Sequence, residues 1–502
     1  MLVLALAALL RFVPIWFGLP YEYSRPDEEV AIGHAVNALG GAYNPEFFHW
    51  PSLTFYLFAA SFRLTSAVRW FFGLGPPTYV TDLLIARATV ATVGTATVGL
   101  VYWLTRRIAN PATALSAAAF LAVAPLHVRD SHFAMTDVLA TFFVVWSLIL
   151  LLRAMDGRSI GWFAAAGFVG GLAASTKYSA GAVVASMAAA QVILVPPGTG
   201  AWRDARRWLP SFAFAVACAG GFLLGTPYAV LDRHRFLTGL SDVFNHLLEG
   251  HNGLRDGVGW TAHLTRSLPA AMSWPTFLAG LAGIALMALR KRRAAAVLGA
   301  FCLALYVSLG PGHTLFFRYI LPLVPFLCVS AAIAVRWTRI PLLTWAVAAP
   351  ALVTSVWSDA LLARPDTRPL AAQWLVEHVK PGESLYQAGS RFADAPLGPL
   401  LPQAWPRDMF DAGSGGFLGA SLPDWLIIPV SPLGLYTTVP ASLRQIASER
   451  YDLAHRVRAT APHQRDLGLY DAADAFFLPV TGFTAILRPG PTIVIYRRIG
   501  LR

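Results

Sequence analysis

Apolar and polar residues follow one another along the chain in long blocks, and eleven apolar blocks predict membrane-spanning helices. Blocks near 20 residues are long enough, as helices, to cross the roughly 30 Å hydrocarbon layer of a bilayer. Helices are expected because the backbone must satisfy its own hydrogen bonds in lipid. The predicted spans are 1–19, 84–105, 112–126, 138–152, 160–176, 179–195, 209–226, 271–289, 294–309, 319–335 and 340–357.

The composition favours a membrane protein over a soluble one. Of the 502 residues, 56% are hydrophobic and 13% are charged, and the mean hydropathy is +0.55. A soluble core could not bury so much apolar surface. The net charge of +12 does not indicate a nucleic-acid partner, because the arginines lie in short loops and form no stripe. The three cysteines lie within apolar runs, so we expect no disulfide framework.

The placement of arginine and lysine predicts the orientation in the membrane. Five short connections concentrate these residues, at 106–107, 153–158, 203–207, 290–293 and 336–339. The positive-inside rule places such loops in the cytoplasm. The predicted outward segments are then 20–83, 127–137, 227–270, 310–318 and the tail from residue 358.

Two stretches near the start of the chain need separate interpretation. Residues 51–72 are apolar enough to span, but a span there would put the loop of Asp27 or that of Arg106 on the wrong side. We therefore predict interfacial helices in the outer loop 20–83. The first span carries Arg11 and lacks a basic leading segment, and Gly18–Tyr21 is a poor cleavage site. We expect an uncleaved helix rather than a signal peptide.

The tail changes character and predicts a small α/β domain at 358–502, after a transmembrane domain at 1–357. Its apolar runs shorten to strand length in Asp424–Pro429 and Thr492–Tyr496, and residues 369–379 have helical spacing. Pro/Gly-rich stretches at 395–402 and 430–440 predict loops.

Three acids are candidates for catalysis at the outward face. Pro26 can start a helix at Asp27–Leu39, so Asp27 and Glu28 could simply complement the helix dipole. Alternatively, Asp27 is a general base that takes the proton of an attacking hydroxyl, with Glu28 orienting the acceptor or raising the basicity of Asp27. Asp137 begins a span, where acids are costly and tend to be functional. It would organise the acceptor or pair with a cation.

Cations at the same face are candidates for binding phosphate. Arg318 lies at the lip of a span and could present its guanidinium fork to a phosphate, or could snorkel to the interface. Lys177 lies between two spans and could hold the same donor or cap a helix. Arg129 and Asp130 could pair with each other.

Histidines in the outer loop 227–270 suggest two alternatives. His246 and His251 could contribute to a zinc site together with Glu249, but their spacing of five does not place them on one helical face. We favour Gly250–Gly253 as a loop at the mouth of a cavity. We find no Walker loop, Rossmann glycine pattern or Cys-X-X-Cys pair, so a nucleotide-sugar donor is not expected.

The ordered motifs resemble the protein O-mannosyltransferases and the lipid A aminoarabinose transferases. The acidic pair Asp27-Glu28 is similar to their Asp-Glu motif after the first span. The other matching segments are 49–53 (HWPSL), 131–137 (SHFAMTD), 171–178 (GLAASTKY), 318–322 (RYILP) and 366–375. The resemblance covers most of residues 1–380. It implies a mainly α, GT-C type membrane fold and transfer of a sugar from a polyprenyl-phosphate donor with inversion.

The predicted reaction needs site residues, and the resemblance limits the acceptor. Donor-phosphate binding falls to Arg318, Lys177 and Tyr319, and substrate contacts fall to His49, Trp50, Arg129, His132 and His251. His49 stands where the aminoarabinose transferases carry a lysine, and Pro51 is a single proline where they have two. Loop 227–270 is too short for the β-trefoil of the eukaryotic mannosyltransferases, which favours a lipid, glycan or small acceptor over a protein.

We therefore predict an inverting membrane glycosyltransferase in a bacterial inner membrane, with its tail outside the cytoplasm. The sequence assigns no metal ligands and no certain cofactor, and it leaves a divalent metal as an open alternative. A secondary transporter or lipid flippase is the alternative, but paired halves and acids at mid-membrane, typical of transporters, are not evident. A membrane protein of assembly without catalysis is the third class.

Overall fold

The computed structural model describes residues 1–21, 23–195, 200–398, 403–419 and 421–500. Part of the predicted loop 395–402 lies outside these residues. The chain divides into two compact units. Unit 1 comprises Met1–Ile15 and Asp27–Val356, and unit 2 comprises Trp16–Pro26 and Trp357–Arg502.

Unit 1 is helical throughout the residues that the structure describes. Its helices are α1 (Leu2–Phe12), α2 (Glu28–Leu39), α3 (Leu53–Phe71), α4 (Tyr79–Ile108), α5 (Pro111–Ala122), α6 (Pro125–Asp130), α7 (Thr136–Gly157), α8 (Ile160–Thr176), α9 (Val183–Leu194), α10 (Leu209–Gly225), α11 (Tyr228–Leu231), α12 (Arg233–Glu249), α13 (Gly259–Ala262), α14 (Leu268–Met272), α15 (Trp274–Arg290), α16 (Arg292–Leu309), α17 (Val324–Trp337) and α18 (Leu343–Leu362). The last six residues of α18 belong to unit 2.

The apolar helices confirm a multi-pass membrane protein. Six helical segments among the described residues are long and apolar enough to cross a membrane: Tyr79–Ile108, Thr136–Gly157, Ala205–Gly225, Arg292–Leu309, Phe317–Trp337 and Leu343–His378. A seventh candidate is the pair Gly259–Met272 and Trp274–Arg290, bent by 114°. Four shorter apolar helices, Leu2–Phe12, Pro111–Ala122, Ile160–Thr176 and Tyr178–Leu194, occupy the remaining predicted spans.

The prediction of eleven full-length spans overestimated the length of several helices. The first predicted span, 1–19, ends as a helix at Phe12, because Pro14 offers no backbone N–H and disfavours helical geometry at Val13. Residues 51–72 form the single helix α3 rather than several helices, and α3 does not meet the same criteria of length and composition.

Small residues set the close packing of unit 1. A Cβ on Gly171 of α8 would lie 2.0 Å from the carbonyl oxygen of Cys218, and one on Gly221 of α10 would lie 2.1 Å from that of Phe168. The two helices therefore approach backbone to backbone, as small residues allow in membrane proteins.

Arg11, unusual in an apolar run, has a structural explanation. Its guanidinium is fully buried and donates to the carbonyl oxygens of Leu121 and Ala122, each at 3.0 Å. These carbonyls lie in the last turn of α5, where the regular i+4 N–H donors of the helix end. Arg11 thus closes the end of α5.

Unit 2 is a mixed α/β unit, which confirms the predicted fold class of the tail. Its elements are α19 (Thr367–His378), α20 (Gly434–Thr437), α21 (Ala441–Arg450), β1 (Leu385–Gln387), β2 (Phe410–Asp411), β3 (Gly416–Phe417), β4 (Trp425–Val430), β5 (Tyr451–Val457) and β6 (Thr492–Arg498). The main sheet has the order β1-β4-β6-β5, with β1 and β4 parallel and the other pairs antiparallel. The helix α20 lies inside the predicted loop 430–440.

Alternating side chains of β4 supply two hydrophobic cores. Trp425 and Ile427 pack in the core that contains Leu375 of α19. Leu426 and Ile428 pack in the core that contains Leu443 of α21. This alternation is the period of two expected for a strand covered on both faces.

The segment Trp16–Pro26 folds with unit 2 through buried charges, which the sequence did not indicate. Arg25 pairs with Asp474 at 2.7 Å, and both side chains are buried. Arg368 donates to the carbonyl oxygen of Ser24 at 3.2 Å and lies 4.7 Å from the centre of the Tyr21 ring. Burial raises the pKa of Tyr21 to about 12, so its hydroxyl stays protonated.

Candidate active site

Asp27 occupies the N-cap position of α2 but does not cap it. Its backbone has φ 72° and ψ −16°, in the left-handed region, and its side chain makes no hydrogen bond to the first turn of the helix. Such backbone conformations cost energy and cluster at functional sites. The side chain is 38% exposed. The predicted helix at Asp27–Leu39 therefore begins one residue later, and Asp27 is directed away from it.

Arg318 lies between two of the predicted acids. It belongs to the 3₁₀ segment Phe317–Leu323 that leads into α17. Its Nη2 is 3.3 Å from Oδ2 of Asp27, and its Nε is 3.9 Å from Oδ2 of Asp137. The guanidinium stacks 4.0 Å from the centre of the Phe316 ring. One planar cation thus connects α2 to α7.

Asp137 and Lys177 form a second ion pair of the same cluster. Asp137 lies in the first turn of α7, and its side chain is only 2% exposed. Lys177 follows α8, and its Nζ donates to Oδ1 of Asp137 and lies 4.4 Å from the centre of the Tyr319 ring. The predicted residues Asp27, Asp137, Lys177, Arg318 and Tyr319 are therefore brought together from four parts of the chain.

The geometry gives the two acids different roles. Asp137 is enclosed and contacts both cations, whereas Asp27 is open and contacts Arg318 at a distance longer than the 2.7–2.9 Å of strong charge-assisted hydrogen bonds. A general base needs an accessible lone pair within reach of its proton donor. Asp27 meets this requirement, and Asp137 is suited to hold the cations in place.

Glu28 does not occupy the predicted catalytic position. Its carboxylate is fully buried and accepts two hydrogen bonds from Arg87, at 2.9 and 2.6 Å. It also accepts one from the backbone N–H of Ala134 at 2.8 Å. The structure thus corrects its role from orienting an acceptor to joining α2, α4 and the loop before α7.

Arg129 and His132 are also buried, so they cannot make the predicted contacts with substrate. The guanidinium of Arg129 lies 5.5 Å from the centre of the Phe133 ring. The ring nitrogens of His132 are 3.0 Å from the carbonyl oxygen of Val128 and 3.2 Å from that of Val13. Burial lowers the pKa of His132 to about 4, which keeps it neutral.

Of the remaining predicted residues, His251 contacts a ring of the cluster. Its ring centre is 5.1 Å from that of Phe316, the ring beneath Arg318, and its Nδ1 is 3.3 Å from Nε2 of His246. Burial lowers the pKa of His246, with smaller contributions from the nearby His49 and Arg318. The loop with His251 therefore borders the cluster.

His49 and Trp50 lie on the segment before α3. His49 is half exposed, and its Nε2 is 3.7 Å from Oδ2 of Asp242. The Trp50 ring packs against Phe47 and Phe55, with centres 5.7 and 6.3 Å apart. Trp50 therefore contributes to an aromatic cluster, while His49 is accessible.

Two residues that support the site were missed by sequence reasoning. Arg87 is an arginine inside a predicted span, and a charge at such a position should itself have predicted a buried acidic partner. Phe316 carries no comparable signal, because its role depends on the ring lying under Arg318.

No three His, Cys, Asp or Glu side chains converge as metal ligands within the described ranges. The acids of the cluster contact Arg318 and Lys177. His246 and His251 approach each other, and the next polar neighbour of His251 is the amide of Asn252. A divalent ion remains a hypothesis.

Comparison with known families matches residues 53–223 to the model described as dolichyl-phosphate-mannose-protein mannosyltransferase. The matched region includes Asp137 and Lys177 but neither Asp27 nor Arg318. No curated protein matches the chain significantly in sequence.

Solved structures share the fold at low sequence identity. ArnT from Cupriavidus metallidurans bound to undecaprenyl phosphate has a TM-score of 0.52 and 16% identity, and the alignment covers 98% of this chain and 97% of that one. The Archaeoglobus fulgidus oligosaccharyltransferase tethered to an acceptor peptide with the NVT sequon has a TM-score of 0.51 and 13% identity, covering 92% and 72%. The chain spans 58% of the archaeal oligosaccharyltransferase AglB in complex with an inhibitory peptide and a dolichol-phosphate, with a TM-score of 0.49, 16% identity and 76% of this chain covered.

The chain has the GT-C fold of membrane glycosyltransferases such as ArnT, and its residues 53–223 match a mannosyltransferase family model. The predicted fold class is thereby confirmed, while the enzyme class and the roles of individual residues stay predictions.

Proposed function

We propose that the protein transfers a sugar from a polyprenyl-phosphate donor to a lipid, glycan or small acceptor, with inversion at the anomeric carbon. The observation that carries this proposal is the single guanidinium of Arg318 between the open Asp27 and the enclosed Asp137, with Lys177 beside them. A base and a phosphate-binding cation are thereby adjacent. The undecaprenyl phosphate held by the ArnT structure of the same fold supports a lipid-linked phosphate as the ligand.

The reaction needs one proton acceptor and one site for the leaving group. Asp27 takes the proton of the acceptor hydroxyl as its oxygen attacks the anomeric carbon. The bond between that carbon and the phosphate oxygen breaks, and the polyprenyl phosphate leaves with the electron pair. Arg318 and Lys177 stabilise the charge of the departing phosphate. Attack from the side opposite the leaving group inverts the configuration, and no covalent intermediate on the protein is required.

The topology proposed for this activity follows the charge of the loops. The basic connections face the cytoplasm, so the cluster lies at the outer face of a bacterial inner membrane. Residues 1–357 would form the transmembrane domain, and residues 358–502 would form a periplasmic domain. His49, Trp50 and His251 are the candidates for contacting the sugar, and of these His251 borders the cluster through Phe316.

The test is a reaction of the purified protein with a panel of polyprenyl-phosphate sugars. We expect hydrolysis or transfer with at least one donor, release of polyprenyl phosphate, and a product whose anomeric configuration, measured by NMR, is opposite to that of the donor. A product with retained configuration would contradict the single-base mechanism. Movement of intact lipid across reconstituted vesicles without sugar release would instead support the flippase alternative.

A further inference from the structure

A cavity of about 570 Å³ opens far from the cluster of Asp27 and Arg318. Helix α7 relates the two places, because Asp137 lies in the first turn of this helix and Asp156, which lines the cavity, lies near its end. At 1.5 Å per residue these two acids are about 28 Å apart along the helix axis, close to the thickness of the hydrocarbon layer. The cavity therefore lies at the opposite membrane surface, on the side of the basic loops.

Three structural elements form the walls of this cavity. The end of α4 contributes Arg107 and Ile108, the end of α7 contributes Leu152, Met155 and Asp156, and the junction of α15 with α16 contributes Leu289 through Ala294. Each element is the end of a predicted span. The cavity is thus open to the lipid headgroup region rather than enclosed within the helices.

The lining combines excess positive charge with an apolar part. Among the described lining residues Asp156 is the one acid, and it pairs with Arg107 at 2.5 Å. The cations of the run Arg290–Arg293 face this space without another acid in its lining. The guanidinium of Arg290 also lies 5.8 Å from the centre of the exposed Trp337 ring, an aromatic residue of the type found at membrane interfaces.

The positive-inside pattern by itself would require only arginines dispersed in solvated loops. Here the arginines instead border a cavity whose other walls are Ile108, Leu152 and Met155. A soluble anion would gain nothing from the apolar walls. A phospholipid satisfies both parts, because its phosphate contacts the guanidinium forks while the upper acyl chain contacts the apolar side chains.

We propose that this cavity is a binding site for an anionic phospholipid of the leaflet opposite the candidate active site. The headgroup phosphate is held by Arg292 and Arg293 with Lys291, and the apolar residues of α4 and α7 hold the start of an acyl chain. This inference uses the membrane topology but not the identity of the catalysed reaction, so it stands or falls separately from the proposed activity.

The test compares the full-length protein with two charge-matched double variants in nanodiscs. Arg292→Gln/Arg293→Gln removes two cations from the cavity, and Arg203→Gln/Arg206→Gln removes two from another basic loop. Native mass spectrometry would measure retained lipid after reconstitution in phosphatidylcholine with phosphatidylglycerol or cardiolipin. We expect the wild type and the control variant to retain anionic lipid in preference to phosphatidylcholine, and the cavity variant to lose this preference on the order of tenfold.

Further measurements keep the inference falsifiable if the glutamine variant folds poorly. Arg292→Lys/Arg293→Lys preserves the charge and should keep most of the retained lipid. Equal losses in the cavity and control variants would overturn the proposal, since they would show a general surface attraction. The proposal would also be overturned if the wild type retained phosphatidylcholine as well as anionic lipid. The same holds if inorganic phosphate raised the melting temperature as much as anionic lipid does.

Discussion

The region around Arg318 and the region around Arg87 each pair an arginine with one acid of the dipeptide Asp27-Glu28. Arg87 and Glu28 are both fully buried and meet at 2.6–2.9 Å with two parallel hydrogen bonds. Arg318 meets the 38% exposed Asp27 at 3.3 Å through one nitrogen. Asp27 precedes α2 with a left-handed backbone whereas Glu28 is the first residue of the helix, so the two adjacent side chains enter different environments.

The difference shows how a structural ion pair and a reactive one are distinguished. In the Arg87 region both charged groups are buried and fixed by short hydrogen bonds. A third hydrogen bond, from the backbone N–H of Ala134, further fixes the carboxylate of Glu28. In the Arg318 region the cation is divided between two acids at 3.3 and 3.9 Å. A phosphate can therefore compete for Arg318, whereas no ligand can reach Arg87.

Removing the charge of Asp27 is expected to have the largest effect on activity. Asp27→Asn keeps the size of the side chain but removes the proton acceptor, so the rate of transfer should fall on the order of 10²–10⁴-fold. Melting temperature and donor binding should remain close to wild type because Asp27 is not part of a buried pair. Turnover of a polyprenyl-phosphate sugar by the purified variant measures the effect.

The matched control for this prediction is Asp256→Asn, an exposed acid between α12 and α13 that pairs with Arg266. Its activity should stay near that of wild type. Wild-type turnover by the Asp27 variant would contradict the assignment of the base.

Removing the buried ion pair between Glu28 and Arg87 should lower the stability of the fold. Glu28→Ala leaves a buried guanidinium without its partner, which typically costs about 3–5 kcal/mol. Thermal unfolding in detergent should shift to markedly lower temperature. The double variant Glu28→Ala/Arg87→Met should recover part of the loss, since no charge is then left uncompensated. A stable, inactive Glu28→Ala protein would instead assign Glu28 to catalysis and would reverse the comparison.

Replacing Arg318, the cation between the two acids, should weaken the use of the donor. Arg318→Lys keeps a positive charge but loses the planar fork that can contact two acids and a phosphate together. We expect a loss of roughly 10–100-fold in kcat/KM for the donor, on the scale of one electrostatic contact at an active site. Arg266→Lys, at the exposed pair with Asp256, is the control. An unchanged kcat/KM for the donor would exclude Arg318 from phosphate binding.

The sequence predicted the membrane architecture and the main cluster because both depend on local signals. Apolar blocks locate the helices, and the arginine-rich loops place Asp27, Asp137 and Arg318 on one side. The sequence could not distinguish Asp27 from Glu28, because the distinction depends on Arg87, which is 59 residues from Glu28 and lies in another helix. The packing of Trp16–Pro26 within unit 2 was missed for the same reason, since Arg25 and Asp474 are distant in sequence.

The smallest expected effect concerns pH and the histidines that border the Arg318 region. The pKa of His246 lies below its ordinary value because the site is partly buried and because His49 and Arg318 are near. His246 is therefore neutral at pH 7 and gains a proton only on further acidification. The added charge would strengthen the attraction of a donor phosphate, so the KM for the donor should fall a few-fold as the pH drops below the ordinary histidine value near 6.5.

Two variants test this pH dependence. It should be absent in His246→Gln. It should remain in His313→Gln, the control, because His313 contacts the carbonyl oxygen of Gly257. Identical pH profiles of KM in the wild type and His246→Gln would show that the protonation of His246 does not reach the donor phosphate.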